Sequence, residues 1–148
     1  MLPRLLSALF VCAFAATLTL SSADGAQKAA QKPASPYAKQ IYELHDVKVL
    51  LERADHDYKG HRAAAVKVIT SAIHSLQAGY AHVSHPSQKV RGGGEPQALS
   101  DMQLNEAINQ LKTIQKQLSA AQGDKAVQAA AVDLNTAVSE LQIALTIK

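Results

Sequence analysis

Histidine and acidic side chains concentrate in one part of this chain, at spacings that could serve metal binding. All six histidines lie between residues 45 and 85. His45, Glu52 and His56 are spaced by seven and four residues, so a helix would carry them on one stripe. Two imidazoles and a carboxylate can bind zinc, nickel or copper. The stripe faces away from the apolar side of the helix, however, and only Glu52 and His56 are close enough to share one ion, because His45 lies about 16 Å from His56 along the axis at about 1.5 Å per residue.

The densest polar cluster covers residues 55–62, with the sequence Asp-His-Asp-Tyr-Lys-Gly-His-Arg. In a catalytic or metal-binding interpretation, His56 and His61 serve as ligands or acid–base groups and Asp57 orients one of them. Glu52, His56 and His61 are therefore the candidate metal ligands. His82 and His85, just before Pro86, form a further pair that is either a metal contact or part of a solvated loop.

The competing interpretation of residues 55–62 is a structural turn between two helices. In that turn Asp57 caps the second helix or pairs with Arg62, while Tyr58 packs across the hairpin. Gly60 takes the left-handed conformation that glycine adopts without steric cost. The sequence favours this interpretation, because a connection between two amphipathic segments is needed at this position.

Four amphipathic helices are expected to position these side chains. Apolar residues recur at three- and four-residue steps over residues 37–55 and 61–81, and again on both sides of Gly123. Ser100 and Gln103 form a capping-box pattern that predicts the start of the third helix at Ser100. In the fourth helix two rows at seven-residue spacing predict a bundle seam. These rows are Val127, Leu134 and Leu141, and Ala131, Val138 and Leu145.

The fold class predicted from this pattern is an all-α four-helix bundle built from two tandem helical hairpins. Glycine and proline residues in the segment between the two hairpins exclude a continuous helix there. The predicted domains are a signal peptide over residues 1–23, a flexible tether over 24–36 and a helical bundle over 37–148, in which 37–82 form the first hairpin, 83–99 a linker and 100–148 the second hairpin.

The first 23 residues have the composition of a secretory signal peptide. Arg4 precedes an apolar run over residues 5–20, and small residues follow it. A retained membrane anchor is the alternative, but the run is shorter than the roughly 20 residues that span a bilayer. Cleavage would remove Cys12, the only cysteine, and leave a mature chain without thiol chemistry or disulfides.

Residues 54–63, with the sequence ADHDYKGHRA, carry a resemblance to a known group of proteins. The segment resembles the D-Y-x-G-H-R motif of small exported bacterial helical-hairpin proteins of uncharacterised function, over about 27 residues from 50 to 76. The resemblance implies an exported helical hairpin. It assigns no functional residue.

The sequence predicts an exported binding or structural module that acts by protein–protein association, through a protein partner or through self-association. The alternative is a metal- or small-ligand-binding protein that uses the histidines of the first hairpin. Basic and acidic residues are interspersed, so no nucleic-acid footprint is present. No motif for an enzyme or a cofactor is found, and a divalent transition metal is the one candidate cofactor. No membrane span is expected after signal cleavage. The predicted location is the periplasm or the extracellular medium.

Overall fold

Four helices pack together in the computed structural model, which describes residues 32–54, 56–86, 95–121 and 123–147. Within these ranges there is no strand, so the predicted all-α four-helix bundle is confirmed. The predicted signal peptide lies outside the described residues, as does the tether up to residue 31. The helices are α1 (Ala38–Arg53), α2 (His61–Gln77), α3 (Gln97–Leu118) and α4 (Lys125–Ala144).

The helices form a closed ring in the order α1, α2, α4, α3, so α1 and α4 occupy opposite corners. Every neighbouring pair of helices is antiparallel. The start of α1 contacts the end of α3, and the start of α2 contacts the end of α4. Side-chain hydrogen bonds fix this alignment: Tyr37 to Asp124 and Gln40 to Gln117 at one end, and Tyr58 to Asp101 and His61 to Glu140 at the other. The end of α2 and the start of α3 therefore lie at opposite ends of the bundle.

The core consists of the apolar faces predicted for α1, α2 and α3. Leu44, Val47 and Leu51 of α1 are completely buried. Ile41 extends this face by one turn toward the start of α1, and Ile108 joins the core from α3, although neither was predicted. None of the described helices is both long enough and apolar enough to cross a membrane.

The seam of α4 differs from the prediction in one of its two rows. The predicted row of Val127, Leu134 and Leu141 is buried. The second predicted row, Ala131, Val138 and Leu145, is only half-buried, and the completely buried row is Ala130, Ala137 and Ala144. Hydrophobicity favours the larger side chains, but the position of the neighbouring helix decides which residues are buried.

That neighbouring helix is α2, which makes the most extensive helix contact in the bundle with α4. Its buried face includes Ala65 and Ala72, seven residues apart and both completely buried. Small side chains on both helices let the two backbones approach closely, whereas Val138 or Leu145 in that position would hold them apart.

Two helix ends lie elsewhere than predicted. α3 begins at Gln97 after Pro96, three residues before the predicted cap Ser100. Ser100 lies inside the helix, is completely buried and donates a hydrogen bond to the carboxylate of Glu95, 3.1 Å away. Glu95 also accepts from Gln103 at 2.9 Å, so both residues of the predicted capping box bind this carboxylate, and no side chain caps the start of α3.

The predicted second helix over residues 61–81 is too long by four residues. α2 ends at Gln77, and Gly79 adopts a left-handed φ of +83°, which ends the helix. The chain before α1 contacts this end of the bundle: Ser35 donates to the carbonyl of Leu76 at 3.1 Å, and Pro33 accepts from the amide of Ala81 at 2.8 Å. These two contacts belong to the bundle, although composition placed both residues in the tether.

Candidate functional site

The turn between α1 and α2 holds three successive residues in the left-handed region. Tyr58, Lys59 and Gly60 have φ values of 47°, 50° and 87°. This conformation costs glycine little, but for other residues it typically costs about 1–3 kcal/mol each. Tertiary contacts must therefore hold the turn in place.

Tyr58 supplies the main contact that holds this turn. Its side chain is 1% exposed, and its hydroxyl donates to Oδ1 of Asp101 on α3 at 2.6 Å. Burial, together with this hydrogen bond to a carboxylate, raises the pKa of Tyr58 well above its ordinary value. Tyr58 thus stays protonated and joins the first hairpin to the second.

The charged residues of the turn behave differently from one another. Nη1 of Arg62 donates to the backbone carbonyl of Leu51 at 2.8 Å, which satisfies a free acceptor at the end of α1. Asp57 is exposed, and its side chain does not cap the following turn. Gly60, Tyr58 and Arg62 therefore have structural roles here, and Asp57 makes neither of the two contacts suggested for it.

The structure separates the three predicted metal ligands. Nδ1 of His61 lies 2.7 Å from Oε2 of Glu140 on α4. His56 packs its ring edge-on against Tyr58, with 4.7 Å between ring centroids. Glu52 is exposed on α1. Across the described ranges, no three His, Cys, Asp or Glu side chains converge closely enough to hold a metal ion.

A different cluster of histidines forms where the chain after α2 folds back onto α1. The ring of His85 lies over Tyr42 and His45, at centroid distances of 4.6 Å and 5.2 Å. Nε2 of His85 contacts Oδ1 of Asp46 at 2.9 Å, and only 7% of the His85 side chain is exposed. We call these four residues, Tyr42, His45, Asp46 and His85, the clasp.

Comparison with protein-family models, curated proteins and solved structures gave no match. The function of this chain is therefore inferred from its own geometry.

The clasp could not be found from sequence spacing, because His85 is 39 residues from Asp46. The concentration of histidines between residues 45 and 85 was the available signal, and it indicated the right region. The path of the connection between α2 and α3, which brings His85 to α1, has no local sequence signature. For the same reason the sequence predicts a solvated position for His45, whereas in the structure the ring of His85 stacks on it.

An open groove between α1 and α3 begins beside the clasp. It has a volume of about 410 Å³ and is lined by acidic and amide side chains, with Asp46 shared between groove and clasp. Two of its acidic residues contact basic side chains: Lys39 pairs with Glu43 at 3.3 Å, and His85 contacts Asp46. The third, Glu106, accepts a hydrogen bond from Gln110 at 2.8 Å.

The outer face of α4 is the most unusual surface of the bundle. Every exposed residue of α4 after Lys125 is uncharged. Val132 is 66% exposed and Ile143 is 42% exposed. Exposed faces of α1 and α3 carry charged residues such as Lys39, Glu106 and Lys112. Five exposed residues of this helix follow one another at alternating steps of three and four: Ala129, Val132, Thr136, Ser139 and Ile143. We call these five residues the α4 face.

Proposed function

We propose that this protein is an exported, non-catalytic association module that pairs with a second copy of itself through the α4 face. The observation that carries the proposal is that the exposed residues of α4 beyond Lys125 are all uncharged, whereas its two acidic residues, Asp133 and Glu140, are half-buried. Solvent-facing helix surfaces are ordinarily charged or strongly polar, whereas the centres of protein interfaces are depleted of charge. Export is supported by the signal-peptide composition of residues 1–23.

A second copy is the partner that best fits the charge of this face. In a two-fold dimer the same patch occurs on both sides of the interface, so any charge on it would oppose a like charge. The α4 face avoids this repulsion, since all five of its residues are neutral. A strongly acidic or basic partner would find no complementary charge there.

The spacing of the α4 face also suits helix packing. Alternating steps of three and four residues are the pattern of a helix seam, and Ala129, Thr136 and Ser139 are small enough for a close approach. An uncharged groove of about 330 Å³ lies beside this face and is lined by Leu118, Val127 and Ala131, among others. The exposed Val132 of one copy supplies an apolar side chain of a suitable kind for that groove in the other.

The size of the face predicts a weak dimer. From residue 129 to residue 143 the helix rises by about 21 Å, at about 1.5 Å per residue. A single helix face of that length is smaller than the roughly 800 Å² per partner of a standard stable interface. We therefore expect association that depends on concentration in the micromolar range, rather than an obligate dimer.

The decisive experiment measures molar mass against concentration by size-exclusion chromatography with light scattering. The mature protein should approach the dimer mass as its concentration rises, and Val132→Glu should remain a monomer because dimerisation would bring two carboxylates together. Ser71→Glu is the matched control, since Ser71 is an exposed neutral residue on α2. A wild-type protein that stays monomeric to millimolar concentration would contradict the proposal, as would equal loss in both variants.

A further inference from the structure

His85 occupies a position that requires two ring protons. Its Nδ1 lies 3.0 Å from the carbonyl oxygen of Pro86, and its Nε2 lies 2.9 Å from Oδ1 of Asp46. Both partners are acceptors when Asp46 is ionised, so both ring nitrogens must donate. A neutral imidazole has one N–H and satisfies only one of these contacts. Only the imidazolium form of His85 satisfies both contacts at once.

His45 occupies the opposite kind of position. Its ring stacks on His85 at 21° between planes, and its buried Nε2 has no hydrogen-bond partner among the described residues. Burial lowers the pKa of His45, and the neighbouring His85 lowers it further. A neutral His45 can thus stack on a charged His85, but two stacked imidazolium rings would repel each other.

We propose that the clasp is a proton-dependent fastener, closed when His85 alone is protonated and opened when His45 gains a proton as well. In the closed state, the cation on His85 bridges the segment after α2 to Asp46, and the Tyr42 ring covers one side of it. Protonation of His45 adds a second positive charge in direct contact with the first. The segment formed by residues 82–86 then leaves the surface of α1.

The surrounding charges favour this opening in acid. The groups that act on His45 are Asp46 and Lys48 on its own helix, and His82 and His85 on the facing segment. Only Asp46 attracts a proton to His45, and it is already hydrogen-bonded to His85. Glu106 of α3 lines the same groove as Asp46, but it is not among the groups that shift the pKa of His45. Once His45 is protonated, cations outnumber the one carboxylate of the clasp.

Deprotonation of His85 should also weaken the clasp. Without its second proton, His85 presents a lone pair to either Pro86 or Asp46, both of which are acceptors. The segment is therefore held best when the His85 ring carries both of its protons and the His45 ring is neutral. A clasp of ordinary packing contacts would show neither dependence.

The test is a pH titration of the folded protein by NMR between pH 5 and pH 9. Backbone heteronuclear NOE values for Ser84 and His85 report whether the segment is fixed, and the ring protons of the histidines report each protonation. We expect NOE values similar to those of α1 and α2 near the centre of the range, and a clear drop towards pH 5 with the midpoint of the His45 titration, below the ordinary histidine value of 6.5.

Three variants separate this proposal from a general effect of acid. His45→Gln should keep the segment fixed at pH 5, because no second cation forms, and Asp46→Asn should loosen it at every pH. His85→Gln should raise the titration midpoint of His45 toward 6.5, since a neighbouring charge is removed. His74→Gln, at an exposed position of α2, is the control and should behave as wild type. Unchanged NOE values between pH 7 and pH 5, or the same acid response in wild type and His45→Gln, would overturn the proposal.

Discussion

Replacement of Tyr58 by phenylalanine tests whether burial determines the strength of the contacts between the two hairpins. Tyr58 and Tyr37 each donate a hydrogen bond of 2.6 Å to an aspartate of the second hairpin. The two bonds differ in burial, because Tyr58 is 1% exposed whereas Tyr37 is half-exposed. Tyr58→Phe and Tyr37→Phe therefore remove the same group at matched bond lengths.

The expected loss for Tyr58→Phe follows from the chemistry of its bond. Hydrogen bonds to charged groups are worth roughly 1.5–3 kcal/mol when they are shielded from water. For a domain of this size that corresponds to a fall in melting temperature of about 5–15 °C, at roughly 3–5 °C per kcal/mol. Tyr37→Phe should cost clearly less, because water can replace the lost hydroxyl at Asp124.

Thermal and urea denaturation followed by circular dichroism at 222 nm measure both losses. The difference between the variants is more informative than either value, since the removed atom is the same. If Tyr37→Phe costs as much as Tyr58→Phe, bond length and not burial determines the contribution, and the reasoning is refuted. A loss below about 0.5 kcal/mol for Tyr58→Phe would show that the left-handed turn is held by other contacts.

Two further predictions concern the turn and the pH dependence of stability. Gly60→Ala should lower the free energy of unfolding in urea by about 1 kcal/mol, because the φ of Gly60 is +87° even though a Cβ would meet no atom within 4 Å. Gly123→Ala is the control and should be neutral or stabilising, since Gly123 has equally open surroundings and no left-handed φ. Equal losses in the two variants would contradict this prediction. The hydrogen bond from Tyr37 lowers the pKa of Asp124 below 3.8, so its contribution is present above that value and is lost as the pH falls through the lowered pKa. The same bond raises the pKa of Tyr37 to about 12, so the contribution persists to about pH 10 and is lost as the pH rises through 12. The difference in melting temperature between wild type and Tyr37→Phe should therefore be largest near neutral pH and decrease as the pH falls below 3.8; a constant difference would refute the assignment.

Much of the helical architecture could be predicted because it depends on local patterns. The apolar face of α1 and the cap at Asp124, whose side chain accepts from the amide of Ala126 at 2.8 Å, both follow from short-range sequence signals. The early start of α3 could not be predicted in the same way, because the helix begins after Pro96 without a side-chain cap and Ser100 binds Glu95 from inside it. Two patterns competed within a few residues, and propensity alone does not rank them.

The misassigned row in α4 has a different physical cause. Val138 and Leu145 would bury more apolar area than Ala137 and Ala144, so a ranking by hydrophobicity selects them. The structure instead buries the alanines of α4, which makes its most extensive contact with α2, a helix whose own buried face includes Ala65 and Ala72. Which of two adjacent rows is buried depends on the partner helix, and a single helix sequence contains no information about its partner.

The ring order of the helices places the two proposed properties on opposite corners of the bundle. The clasp is on α1 and the proposed dimer surface is on α4, and these helices are not neighbours in the ring. The clasp and the α4 face also depend on different interactions. The clasp depends on the protonation of histidines, whereas the five residues of the α4 face are uncharged and have no titratable side chain. The α2–α4 contact, with its small buried residues, orients the outer face of α4 away from the first hairpin. Opening of the clasp in acid therefore leaves the α4 face unchanged, and each proposal can fail while the other stands.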